Sequence, residues 1–217
     1  MTSGRCQDDI QAVCGPGLAG VRLPKIEHPE DVHRVAGWLA AADCEAGVDL
    51  LLESAFAVEM AYPLAMASPR VRMLGLGEED LRADLRSATD TATLDASRTR
   101  CVIASRAARL PNPAQSVFPQ VRDLPGLVAS SRRGKAMGFV GRMAIHPSQL
   151  PVIHEVFTPT DAEIADALAI SEVASAAQAH SASIVITEDG RTVGPPMLAH
   201  ARQLLDLAAT MEVRQAC

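Results

Sequence analysis

Two carboxylates stand out for where they fall. Glu53 closes the apolar run "LLLE", and Asp80 sits in "GLGEED" just after another apolar run. An unpaired buried charge costs several kcal/mol or more, so a Glu at the end of a buried segment needs a partner. Three other chemistry-bearing residues follow short apolar runs: Lys25 after "VRLP", Glu79 beside Asp80, and His146 after "GRMAI". Two carboxylates on adjacent elements suit a hard divalent cation. Mg²⁺ is typically held by one or two carboxylates, with waters and substrate oxygens completing the octahedron. The same residues allow another pairing, in which Glu53 meets Lys25 and Asp80 caps the helix that follows. His146 suits either a general base or a residue that fixes its own loop.

The elements that must carry these residues alternate. "AGVRLPK", residues 19–25, reads as a short strand stopped by Pro24, and "HPEDVHRVAGWLAAADCEAG" reads as a helix with Pro and acids in its first turn. "VDLLLE" is a second strand, apolar throughout as a strand buried on both faces should be. "FAVEMAYPLAMAS" predicts a helix disturbed by Pro63, "RVRMLGL" a third strand, and "EEDLRADLR" a helical turn. An Arg-rich amphipathic helix, "DASRTRCVIASRAARL", follows. Then come a fourth strand "QSVFP", a helix "LPGLVASSRRGKAMG" and a fifth strand "FVGRMAI".

Such alternation predicts an α/β fold with a parallel sheet and crossover helices, either open or a TIM-type (β/α) barrel. No Gly-rich phosphate loop follows a strand, and "GPGLAG" precedes one, which argues against a dinucleotide-binding fold. The strand C-terminal ends, where Lys25, Glu53, Glu79, Asp80 and His146 fall, would form one rim, the place where barrel active sites are built. Residues 1–158 are therefore expected to form a partial barrel of about five strands. Residues 159–217 read as a C-terminal appendage, a lid or oligomerisation segment. It holds a long Ala-rich helix capped by Thr160 or Asp161, a hairpin turning at Asp189–Gly190, and a final helix.

Composition narrows the class. Hydrophobic residues are 48% but aromatics only 3%, so aliphatic side chains must fill the core. A net charge of −6 without a dense basic run is poor material for a nucleic-acid surface. No apolar stretch reaches membrane-spanning length, and the first residues lack a signal peptide's apolar core. Five scattered cysteines with no CxxC pair suggest neither a zinc site nor a disulfide framework, and a reduced cytoplasmic protein is expected.

The segments "GVRLPKIEHPEDV", "LLLESA", "GLGEEDLRADL", "GRMAIHPSQLPVIHEVFTPT" and "EDGRTVGPPMLAHARQLL" occur in this order and spacing. Together they resemble the citrate lyase beta-subunit-like branch of the HpcH/HpaI aldolase family, from about residue 9 to 209. The resemblance implies a (β/α) barrel and a Mg²⁺-dependent carbon–carbon lyase, usually oligomeric. Such enzymes cleave citryl-, citramalyl- or malyl-thioesters, carried on coenzyme A or an acyl-carrier protein, to an acetyl thioester and a 2-oxo acid. It further implies Glu53 and Asp80 as metal ligands, with the backbone amides at Glu79 and Asp80 and the Lys25 side chain toward the substrate. Arg98 and Arg100 match a family helix, where a solvated face is expected.

Four departures from the family pattern carry expectations. The family's first strand–helix units, with a substrate-binding Arg, precede the first matched motif. Phe56 and Ala57 replace an Arg and a Gly, so the Ala57 methyl is expected to crowd the substrate. Glu78 replaces a small residue and is expected to add negative charge beside an anion site. Gly194 stands in "DGRTVGPP" where the family carries an acid–base Asp. Glycine cannot transfer a proton. An impaired paralogue that binds metal, thioester or a partner subunit, and a pyruvate-type aldolase, are the competing expectations.

Overall fold

The apolar run Gly47–Leu52 forms the centre of a three-stranded parallel sheet. The computed structural model describes residues 4–88, 92–179, 184–186, 190 and 192–215. After helix α1 (Cys6–Val13) come β1 (Gly20–Leu23), β2 (Gly47–Leu52) and β3 (Val71–Leu76), in the order β1-β2-β3. Both pairings are parallel, with Leu23 opposite Leu50 and Leu52 opposite Leu76. Val48, Leu50 and Leu52, on one face, are almost wholly buried, while Asp49 and Leu51 on the other are only partly so, a departure from the burial on both faces expected of this run.

The crossovers are helical. Helix α2 (Pro29–Ala41) starts with Pro at its first position and buries Val32, Val35 and Leu39, one face of a 3.6-residue period. Between β2 and β3 lie α3 (Ala55–Glu59) and α4 (Ala61–Met66). The predicted single helix breaks at Met60 rather than at Pro63. Pro63 falls in the first turn of α4, where a missing N–H has no intrahelical partner to lose. The Glu59 carbonyl, four residues before that proline, accepts a long 3.4 Å bond from Arg100.

One irregularity shapes the sheet. Val48 pairs with Val71 but Asp49 pairs with Met73, so Arg72 is the extra residue of a bulge in β3. Its side chain crosses the strands toward β1. Nε and Nη2 bond Asp49 at 3.1 and 3.0 Å, and Nη1 donates to the Ala19 carbonyl at 2.7 Å. It passes directly over two glycines. A Cβ at Gly47 or Gly20 would lie 2.1 Å from the Arg72 side chain.

Helices α5 (Glu78–Leu85), α6 (Ala92–Ala107), α7 (Leu124–Ala136) and α8 (Leu150–Phe157) complete the first unit, with a 3₁₀ turn at Pro147–Gln149. The expected fourth and fifth strands do not form. Their segments meet only through one parallel bridge, Gln115 with Arg142, bonded by Gln115 N–H to Gly141 O and Met143 N–H to Gln115 O. Pro113 and Pro119 flank the first segment and cannot donate to a ladder, which keeps the pairing short. The buried side chains continue the contact instead: Arg142 Nε donates to Gln115 Oε1 at 3.2 Å. The described sheet thus has three strands where about five were expected.

The chain divides into two compact units, Met1–Phe157 and Thr158–Cys217. In the second, α9 (Asp161–Ala179) opens with a capping box. Thr160 Oγ1 accepts from Glu163 N–H at 3.2 Å, and the Glu163 carboxylate accepts from Thr160 N–H at 2.8 Å. The short strands β4 (Val185–Ile186) and β5 (Thr192–Val193) pair antiparallel, and α10 (Pro195–Gln215) follows. Asp189 of the expected turn lies outside the described residues. Ala167, Ile170 and Ala174 of α9 pack with Val193, Leu198 and Ala201. Among the described residues no helix is long and apolar enough to cross a membrane.

Candidate active site

Strand order decides which side chains can meet. β2 lies between β1 and β3, so Glu53, the residue after β2, is flanked by the loop after β1 and by the start of α5. Lys25 reaches into the gap from the first side and Asp80 from the other. The partner of Glu53 is Lys25, twice over. The Lys25 backbone N–H donates to Glu53 Oε2 at 2.9 Å, and Nζ lies 3.5 Å from the same oxygen. Lys25 Nζ also lies 2.6 Å from Asp80 Oδ1. Its backbone takes the left-handed conformation, φ 54°, rarely used by non-glycine residues, and this turns both the amide and the side chain toward Glu53.

Asp80, the third residue of α5, makes no helix cap. Its bond to Lys25, partly opposed by desolvation and reinforced by Glu53, holds the lysine above its ordinary range. A raised folded-state value means that the pair's stabilisation is fully present below the ordinary lysine value of 10.5 and is lost only as pH climbs past the folded one. Lys25 is a cation throughout the neutral range.

The three residues line a cavity of about 210 Å³ to which Glu27 and Asp84 also contribute, four carboxylates against one ammonium. Ser54 donates to Glu27 at 2.5 Å while its oxygen caps α3, accepting from Ala57 N–H at 3.1 Å. Asp84 accepts from Ala55 N–H at 2.7 Å. These bonds fasten the loop after β1 and the helix after β3 to the end of β2. The donor set fits Mg²⁺: all hard oxygen, two carboxylates directed at one point, and a positive charge already standing between them.

The wall behind Glu53 is Gly77. A Cβ there would lie 2.5 Å from Glu53 Cγ and 2.6 Å from Oε1. Gly77→Ala is therefore expected to drive the carboxylate from its seat and lower stability by about 1–3 kcal/mol, the usual cost of overpacking. Urea unfolding midpoints equal to wild type would show that the site absorbs the methyl.

Two expectations about neighbouring residues are corrected. Arg98 is not on a solvated face. It is buried at 4% exposure and grips Glu78 with two bonds, Nε to Oε1 at 2.9 Å and Nη2 to Oε2 at 2.5 Å. Arg98 also donates to Asp95 at 2.9 Å, and Asp95 in turn meets Arg133. The negative charge of Glu78 is thus matched inside the protein, and its N–H donates to Ser116 Oγ at 3.2 Å. Ala57 is fully buried in the main core, so its methyl faces packing rather than the cavity.

Other residues fall outside the cluster. The Glu79 side chain turns to Arg82, 2.6 Å away. His146 is exposed and caps the 3₁₀ turn, its Nδ1 within 3.2 Å of Ser148 N and 2.8 Å of Ser148 Oγ. Gly194 belongs to the second unit, where its carbonyl accepts from Met197 and Leu198 N–H groups at 3.1 Å. Sequence reasoning missed Glu27, Ser54, Asp84 and Gly77. Asp84 was legible, because it stands four residues after Asp80 on the same helical face.

The chain belongs to the HpcH/HpaI aldolase/citrate lyase family, whose model matches residues 1–147. It is 34% identical to a citrate lyase subunit beta-like protein of Deinococcus radiodurans, over 92% of this chain and 69% of the relative. It is 32% identical to a (3S)-malyl-CoA thioesterase of Cereibacter sphaeroides, over 92% of this chain and 68% of that protein. Among solved structures it resembles CitE of Mycobacterium tuberculosis in complex with magnesium, acetoacetate and coenzyme A. The TM-score is 0.72 at 26% identity, covering 93% of this chain and 73% of that one.

Proposed function

We propose that the Glu53–Asp80 cavity binds Mg²⁺ and the acid end of an acyl thioester, and that the chain is a carbon–carbon lyase. The substrate class is a citryl-, citramalyl- or malyl-thioester, cleaved to an acetyl thioester and a 2-oxo acid. The observation that carries this reading is the convergence on one cation of two carboxylates, one directly after β2 and the other in the first turn of the helix that follows β3. Family membership, and a magnesium- and coenzyme A-bound structural relative, support it.

Glu53 and Asp80 would hold the metal. Bound there, Mg²⁺ supplies a Lewis acid that polarises substrate oxygen and offsets charge developing on it. The N–H groups of Glu79 and Asp80, in the first turn of α5, are oriented donors for a carboxylate. Lys25, half exposed on a flexible stem, can leave the carboxylates for the substrate's acid group. Buried Glu53 is held in orientation by the Lys25 amide and backed by Gly77.

The test is product analysis with malyl-CoA and Mg²⁺. A lyase yields a 2-oxo acid and acetyl-CoA in equal amounts, dependent on the metal. The thioesterase relative favours a second reading, in which malate and free coenzyme A appear instead. That outcome would remove the lyase proposal.

Gly194 sets an expectation for rate. If the family's acid–base Asp acts from this position, its loss removes about 10²–10⁴-fold. The chain alone is then expected to turn over below about 1 s⁻¹. Steady-state kinetics at or above that rate would show that Gly194 replaces nothing the reaction needs. Gly194→Asp is a clean probe, since a Cβ there meets nothing closer than 3.8 Å.

A further inference from the structure

Cleavage of a 3-hydroxyacyl thioester needs a group that takes the hydroxyl proton and a group that gives one to the acetyl carbon. Gly194 carries neither. Four carboxylates line the Glu53 cavity, and they are held in different ways. Glu53 and Asp80 share the Lys25 ammonium, at 3.5 and 2.6 Å. Asp84 is exposed and accepts the Ala55 N–H at 2.7 Å. Glu27 differs from all three. It is half-buried, and its side chain takes one bond from the described residues, from the Ser54 hydroxyl to Oε1 at 2.5 Å. Its second oxygen has no hydrogen-bond or ion-pair partner among those residues.

We propose that Glu27 is the acid–base residue of this cavity, an assignment that rests on the lyase reading above. Its placement is built from both sides. Ile26, fully buried in the main core, anchors the loop between Lys25 and Glu27. Ser54 Oγ accepts from Ala57 N–H at 3.1 Å, which leaves its own hydrogen for Glu27. A hydroxyl bond to a carboxylate at this length is of the charge-assisted, strong kind. Ser54 is thus a positioning residue, and the oxygen it does not hold is the reactive one.

The proton balance needs no second group. Glu27 Oε2 takes the proton of the substrate hydroxyl. The electrons of that O–H bond form the carbonyl of the 2-oxo acid. The carbon–carbon bond breaks, and its electron pair passes into the acetyl thioester as an enolate. Glu27 then returns the proton to the terminal carbon, which becomes the methyl group. The hydroxyl oxygen and that carbon are attached to the same substrate carbon, so one carboxylate can serve both. Glu27 ends as it began.

The experiment follows the acetyl-CoA methyl signal of the full chain's reaction mixture by proton NMR in D₂O. Mg²⁺ is present with oxalate, an unreactive stand-in for the 2-oxo acid. Wild type should exchange the methyl protons for deuterium, because the last step run backward puts a methyl proton on Glu27, which trades it with water. Glu27→Gln keeps an oxygen for the Ser54 hydroxyl, so the loop stays tied while the base is gone. Exchange should then fall by about 10²–10⁴-fold. Calorimetric Mg²⁺ affinity should stay within about threefold, since the charge removed is outside the ligand pair and screened. Glu27→Ala should regain exchange when formate is added, a rescue that a merely structural role does not give. Three results would overturn the assignment: wild-type exchange in Glu27→Gln, loss of exchange in Asp84→Asn but not in Glu27→Gln, or no exchange in wild type. Where Glu27→Gln disturbs the fold, the formate arm decides, and absence of rescue overturns it too. Exchange is read without cleavage, so malate and free coenzyme A from malyl-CoA would remove the lyase reading separately.

Discussion

Glu53→Gln is expected to weaken Mg²⁺ binding by more than about tenfold, because one of only two anionic ligands is lost. The exchange keeps the side chain's shape, so the Lys25 amide can still donate to the remaining oxygen at position 53. What disappears is the charge. Lys25 supplies the discriminating control. Its ammonium stands 3.5 Å from Glu53 and 2.6 Å from Asp80, in the place a metal would take, so metal and ammonium must compete. Lys25→Met should therefore move affinity the other way, toward tighter binding. Calorimetric titration of the two variants reads both signs. Equal affinity in wild type and Glu53→Gln would remove Glu53 from the metal site, and weaker binding in Lys25→Met would make the lysine a supporter rather than a competitor.

Arg98→Met is expected to cost about 3–5 kcal/mol of stability, the range for breaking a buried ion pair by removing one partner. The Arg98 side chain is 5% exposed and that of Glu78 12%, so the orphaned carboxylate cannot recover its hydration. Asp95 would lose one of its two cationic contacts as well. The double variant Arg98→Met with Glu78→Ala should recover much of the loss, because no charge is then left buried and unpaired. Urea unfolding followed by the fluorescence of Trp38, the single tryptophan, measures this in the unit that contains the pair. A single-variant loss below about 1 kcal/mol would place Arg98 in the class of exposed pairs.

What the sequence disclosed follows from what is local. β1, β2 and β3 lie within a residue or two of the apolar runs that predicted them, although burial alternates along them instead of covering both faces. The fourth and fifth runs carried a similar signature, but prolines and the polar pair Gln115 and Arg142 limited them to one bridge. Glu53 and Asp80 were legible as a pair, and Lys25 as a competitor for Glu53. That one ammonium serves both carboxylates depends on a left-handed residue at position 25, and no periodicity reports that. Arg98 was misjudged for a related reason. An Arg-rich amphipathic helix normally shows its charges to water, and only the third dimension reveals Glu78 waiting beneath one of them. Gly77 carried no signal at all until the carboxylate behind it was visible.

The crossing arginine of the sheet has a meaning for fidelity of assembly. Parallel strands have no hairpin to set their alignment, and a slip by one residue turns every side chain to the opposite face. Here the alignment is keyed by shape. Arg72, thrown out of step by the bulge, fits only where Gly47 and Gly20 both leave bare backbone beneath it, with Asp49 and the Ala19 carbonyl waiting at its nitrogens. Moved one position, the guanidinium would meet Val48 or Val21 and lose its acceptors. The key lies at the opposite end of the strands from Glu53, yet through three rigid strands it fixes the height at which Lys25, Glu53 and Asp80 emerge. A sheet threaded out of register would lose the Arg72 contacts at one end and displace Lys25, Glu53 and Asp80 at the other.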